Sequence, residues 1–154
     1  MRISTAAPLA LAAATALAGS LLATAPASAA SHQGGPHLGK IQYDSPGKGT
    51  RTNTSLNAEY VDLHNNGKSG LQLKGYRLKD DTGYTYTFPA FTVAAGKTVR
   101  IHTGKGRNAG AHVYWNRGSY VWNNTGDRAR LFKPSGALLD SCSWGKGSGV
   151  KVCH

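Results

Sequence analysis

The chain is predicted to be an all-β protein, an antiparallel sandwich of short strands. Three observations predict it. Apolar and polar residues alternate in many short runs, the period-2 signature of half-buried strands. Turn residues recur at roughly 8–12-residue spacing, as in sandwiches and barrels. Past residue 29, no segment of helical length carries apolar residues at the helical period. The run Tyr120-Val-Trp-Asn-Asn-Thr-Gly-Asp-Arg-Ala-Arg-Leu131 shows the logic most clearly. It reads as strand, tight turn, strand, because Asn and Gly reach positive φ at little cost.

The elements follow in chain order. Residues 1–29 read as a secretory signal peptide. Met1-Arg2 is basic, Ala6 to Ala25 is mostly apolar, and Ala27-Ser28-Ala29 supplies small residues for cleavage after Ala29. Gly19-Ser20 and Pro26 break the apolar run, which favours cleavage over a retained membrane anchor. No later run approaches the ~18 apolar residues of a membrane span. Removing 29 of the 154 residues leaves 125, one ordinary domain, expected to be secreted or held at the cell wall. Residues 30–39 read as a flexible leader containing His32 and His37, and residues 40–154 as the folded domain.

Within that domain, Lys40 to Asp44 alternates and forms the opening strand, and Ser45 to Thr54 is a polar loop. In Ala58 to His64, Glu59, Val61 and Leu63 share one face and point to the core. Leu71 and Leu73 alternate, Gly75 marks a bulge or bend, and Tyr76 and Leu78 resume the strand. Asp80 to Gly83 is a turn. Tyr84 to Phe88 alternates aromatic residues with Thr, and Pro89 ends it. After a turn at Ala94 to Gly96, Thr98 to His102 is a strand with Val99 and Ile101 inward. Thr103 to Gly110 is a Gly-rich loop. His112 to Trp115 and Tyr120 to Trp122 are strands flanking Asn116 to Gly118. Asp127 to Phe132, a turn at Pro134 to Gly136, and Ala137 to Ser143 complete the set.

Two cysteines, Cys142 and Cys153, are expected to form a disulfide tying the last strand to the C-terminal tail. His154 adjoins Cys153, but no CxxC pair and no third and fourth ligand accompany it, so neither a metal nor a cofactor is expected.

Charge narrows the partners. Loss of residues 1–29 removes one of 18 basic residues, Arg2, and none of the seven acids, leaving a net charge of +10. Such a surplus favours polyanions, among them DNA and anionic wall polymer. The candidate polyanion-binding residues are Lys97, Arg100, Lys105 and Arg107, close together in sequence, then Arg117 between Trp115 and Trp122, then Arg128, Arg130 and Lys133. Ala129 and Leu131 face inward, so Arg128 and Arg130 share the outer face. Absence of a recognition helix makes any DNA contact backbone-directed and independent of base sequence. The competing reading is a solvated strand face with no ligand.

Catalysis is not expected. No HExxH, CxxC, GxSxG or P-loop spacing occurs. Ser55, His64 and Asp62 can be assembled into a triad only on paper, and a small hydrolase or nuclease using His64 or His102 is the least favoured reading. Glu59, inward by alternation, needs hydrogen bonds from a loop or an Arg partner. Trp122, Asn123, Asn124, Gly126 and Asp127 read as a structural motif, a buried ring followed by a turn. Asn53-Thr-Ser55 and Asn123-Asn-Thr125 match glycosylation sequons, a pattern that chance often produces.

Taken in order, several elements together resemble the lamin tail domain family. They are Glu59-Tyr-Val-Asp-Leu-His-Asn65, Leu73-x-Gly75-Tyr-x-Leu78, Tyr86-Thr-Phe88-Pro89, Ala95-Gly96, Val99-x-Ile101-His-Thr-Gly104, Trp122-Asn-Asn-Thr-Gly-Asp127-x-Ala129-x-Leu131 and Asp140-Ser141. The likeness runs from near Leu38 to Trp144 and is to the exported bacterial type. It implies an immunoglobulin-like β-sandwich. The chain is expected to be a monomeric, non-catalytic module. The charge makes an extracellular polyanion the expected partner, and the fold analogy offers a protein at the cell surface as the alternative.

Overall fold

The computed structural model describes residues 34–154. The expected signal peptide and His32 lie outside the described residues. Eleven strands and one short helix succeed one another: β1 (Pro36–Gln42), α1 (Asn53–Ala58), β2 (Tyr60–Asn65), β3 (Leu71–Gln72), β4 (Arg77–Lys79), β5 (Thr85–Thr87), β6 (Thr92–Val93), β7 (Thr98–His102), β8 (His112–Tyr114), β9 (Gly126–Phe132), β10 (Leu138–Gly145) and β11 (Val150–Val152). They form a five-stranded sheet, β11-β1-β2-β7-β8, and a four-stranded sheet, β10-β9-β4-β5, with β3 and β6 as a separate ribbon.

Alternation sends one face of each strand to the space between the sheets. In the five-stranded sheet, Val61 pairs with Ile101 and Leu63 with Val99; in the other, Leu78 pairs with Leu131. All six are at most 2% exposed. Burying each such side chain contributes about 1.5–3 kcal/mol, so these cross-strand pairs hold the layers together and set the register. Asp140 links the sheets with a polar contact: its Oδ2 accepts from the Leu38 N–H at 2.7 Å.

Several expected elements differ from what forms. The first strand begins at Pro36, inside the segment read as a leader, because His37 and Leu38 are fully buried against β2. The polar loop ends in α1, capped by the Thr52 hydroxyl, which accepts from Ser55 N–H at 3.2 Å. Leu56 anchors this single turn in the core. The bend expected at Gly75 forms, at φ 81°, and turns the chain into β4, but the segment before it, β3, pairs with β6 in a separate ribbon. Tyr120 to Trp122 joins no ladder, since the Val121 amide donates to the Glu59 side chain instead. All strand pairings are antiparallel except β7–β8, which is parallel. The loop between them, residues 103–111, brings the chain back to the start of β7.

The disulfide Cys142–Cys153 is present. Beyond β10 the chain forms an edge strand, β11, rather than a tail, so the bridge stitches the edge of one sheet to the edge of the other.

Candidate functional site

The same alternation that buries Leu78, Ala129 and Leu131 turns Arg77, Lys79, Arg128 and Arg130 to the outer face of the four-stranded sheet. Register brings them together, with Lys79 opposite Arg130 and Arg77 opposite Phe132. The Lys79 ammonium lies 5.4 Å from the centre of the Phe132 ring, and Arg130 Nη2 donates to the Asp80 carbonyl at 2.6 Å. Asp81 is the counter-charge: its carboxylate lies 3.5 Å from Arg128 and 3.3 Å from Arg130. Four cations therefore share one face with one carboxylate. Lys133 stands exposed where β9 ends.

The rest of the acid is spent inside. Of the seven acidic residues, Glu59, Asp62, Asp80, Asp127 and Asp140 are buried, and only Asp44 and Asp81 reach the surface. Among the described residues only Arg100, Arg128 and Arg130 of the arginines and lysines pair with a carboxylate. The surface is accordingly more one-sided than the net charge implies.

The other basic candidates do not converge. Lys97 precedes β7, and Lys105 and Arg107 lie beyond its far end; the five-residue strand between them spans roughly 16 Å. Arg100 lies on the outer face of the opposite sheet, bonded to both Asp62 oxygens at 2.8 and 2.9 Å, its guanidinium carbon 3.5 Å from the Tyr60 ring centre. The Lys105 backbone is held by Asn53 and Asn57 of α1. Arg117 lies 4.0 Å from the centre of the Tyr84 ring.

Two carboxyls organise the Trp122 segment. Glu59 Oε1 accepts from Thr103 Oγ1 at 2.7 Å and from Val121 N–H at 2.8 Å. Burial is the largest influence on this carboxyl and pushes its pKa up to about 7, despite those two donors. Asp127 Oδ2 accepts from the Asn123 backbone and side chain at 3.0 and 3.3 Å, and Oδ1 accepts from Asp81 and Arg128 N–H at 3.0 and 2.8 Å. One carboxylate thus closes the turn and fixes the start of the basic strand. Asn124 lies exposed, and Gly126, at φ 148°, takes a conformation L-residues rarely adopt. Trp122, 2% exposed, packs edge-on against Trp115 and Trp144.

The sequence model of the Lamin Tail Domain matches residues 29–146. The chain belongs to the lamin tail domain family. No curated protein matches it. The lamin tail domain is an immunoglobulin-like, non-catalytic module, and the two-sheet architecture is that sandwich. No helix among the described residues is long and apolar enough to cross a membrane.

Within this lamin tail domain the paper triad does not assemble. Ser55 Oγ bonds the Thr52 carbonyl and the Tyr120 hydroxyl, Asp62 holds Arg100, and His64 Nδ1 meets Thr98 Oγ1 at 2.9 Å. His102 forms a different chain. Its Nδ1 donates to the Asn57 carbonyl at 2.7 Å, so Nε2 accepts, at 2.9 Å, from His112 Nδ1–H. Burial, the largest influence, lowers the His102 pKa. No group of three or more His, Cys, Asp or Glu among the described residues is placed to hold a metal.

Arg77 and Lys79 belong to the site but are absent from the basic residues singled out by sequence. Their signal was available: flanking Leu78 in an alternating run, they had to face outward beside Arg128 and Arg130 once β4 paired with β9.

Proposed function

We propose that this lamin tail domain is an exported, monomeric, non-catalytic module that binds extracellular polyanions through the outer face of its four-stranded sheet. One observation carries the reading: Arg77, Lys79, Arg128 and Arg130 are brought into one cluster against a single carboxylate. A rigid sheet presents the four charges without a folding cost on binding, which suits the regular spacing of phosphates or carboxylates on a polymer. The N-terminal signal-like residues and the disulfide support export.

The test is retention on duplex DNA and on isolated anionic cell-wall polymer as salt is raised. Neutralising about four phosphates predicts a log–log salt slope of about −3 to −4 on DNA. The double variant Lys79→Glu/Arg128→Glu loses retention at low salt. Retention by that variant equal to wild type rules the sheet face out as the binding surface.

A second reading, a protein-interaction domain, is favoured by the sheet edge at β5, which pairs with no further strand among the described residues. Capture of a specific partner that survives moderate salt, identified by cross-linking, supports that reading.

A further inference from the structure

On the side of the sandwich away from the disulfide, the sheets stand open. Their edges, β5 and β8, flank a wide, open groove of about 650 Å³. The walls carry Thr85, Thr87, Asn108, Asn116 and Arg117, with Trp115 as an apolar side.

Three features mark this groove as built for a ligand. Tyr86 lines it with only 7% of its surface exposed, and its buried hydroxyl makes no hydrogen bond of normal geometry. A buried hydroxyl left so costs ~1–3 kcal/mol, which a bound polar group recovers. Burial pushes the phenol up to about 12 against the smaller, opposing influence of the nearby Asn108 side chain, so it remains an O–H near neutral pH. Asn116 sits at φ 61°, a conformation uncommon for a residue with a side chain, and its Oδ1 accepts from Gly106 N–H at 3.1 Å. Arg117, stacked on Tyr84, pairs with no carboxylate among the described residues.

The chemistry distinguishes between polymers. Single-stranded nucleic acid needs open aromatic faces for its bases. Of the rings lining the groove, Tyr86 is buried and Tyr114 is stacked under His102 at 4.8 Å, which leaves Trp115 as the one partly exposed ring. The other side of Tyr114 is closed by Gly106, where even a Cβ would come within 2.5 Å of the ring. Asn116 is held at both ends of its amide by Gly106 and Tyr114, and Asn108 Oδ1 accepts from the Tyr114 N–H at 3.0 Å, so the groups left on offer are hydroxyls, the Asn108 amide nitrogen and the Arg117 guanidinium, which meet sugar hydroxyls and carboxylates.

We infer that the groove between β5 and β8 is a saccharide subsite for a short segment of an acidic glycan, with Arg117 pairing its carboxylate and Tyr86 and Asn108 bonding its hydroxyls. The inference rests on the polyanion reading and narrows its ligand class. Arg117 supplies charge, and Tyr86 with Asn108 supplies selectivity for a sugar over other anions.

Trigalacturonate is the probe, its methyl ester the uncharged counterpart, and duplex DNA the control for the sheet face. Binding is followed by calorimetry and by backbone amide shifts of the folded protein. The expected result is amide shifts at Thr85–Thr87, Asn108 and Trp115–Arg117, with weaker binding of the ester. Tyr86→Phe keeps the melting temperature of the wild type or raises it, yet weakens trigalacturonate binding about three- to tenfold. Arg117→Gln brings the affinity for the acid down to that for the ester. Equal affinity in Tyr86→Phe, or shifts confined to β4 and β9, overturns the inference. If DNA is not retained while the groove amides respond, the sheet-face reading fails and the groove stands. If DNA is retained and the groove amides are silent, the groove alone fails, and silence towards both ligands overturns both.

Discussion

Glu59 is fully buried, and its carboxyl ionises only near pH 7 in the folded protein against 4.5 ordinarily. The native state therefore binds more protons than the unfolded chain between those values, and stability falls as pH rises through that window. The full effect is about 3 kcal/mol, present below pH 4.5 and lost by about pH 7. Glu59→Gln should flatten this part of a melting-temperature profile. His102 works in the opposite sense. Its lowered pKa means that the folded protein prefers the neutral ring, so stability falls as pH drops below the ordinary value of 6.5. An NMR titration should show His102 protonating at lower pH than an unperturbed histidine and losing its bond to His112. A midpoint at or above 6.5 contradicts burial as the dominant influence on this ring. Alternation alone placed Glu59 inward. It could not show that Thr103 and Val121 supply the donors, because both arrive from loops distant in sequence.

Among the elements, strands with a strong period-2 pattern and long-range partners were legible: β2, β5, β7 and β9 fall where alternation puts them. Short elements were not. The helix α1 exists through one cap and one buried leucine, and β3 and β6 are pairs of residues whose ladder depends on each other. Tyr120 to Trp122 has a strand's pattern but no ladder, since a buried carboxylate claims its backbone. The basic candidates show the same limit: neighbours along a strand lie far apart, whereas Arg77 and Arg130, distant in sequence, belong to one face. The disulfide is an element-scale device. It closes a separation of 11 residues and joins two edge strands. Reduction should remove about 2–3 kcal/mol and lower the melting temperature by roughly 10 °C while the sandwich stays folded at room temperature. The extensive β1–β2 and β9–β10 pairings, which do not need the bridge, are the reason. Unfolding at room temperature on reduction would show that β11 carries more of the fold than its three residues indicate.

For the molecule as a whole, acids are buried as structural acceptors while most bases remain outside, so the fold itself concentrates positive charge on the surface. The two outer faces differ. On the five-stranded sheet Arg100 is neutralised by Asp62; on the four-stranded sheet one carboxylate stands against four cations. The most direct measurement is the retention of the wild type and of Lys79→Glu/Arg128→Glu on immobilised duplex DNA and wall polymer across a salt series. Wild type is expected to be held at low salt and released steeply as salt rises, and the double variant not to be held. Retention that ignores salt, or that survives the double variant unchanged, would contradict a polyanion-binding sheet face.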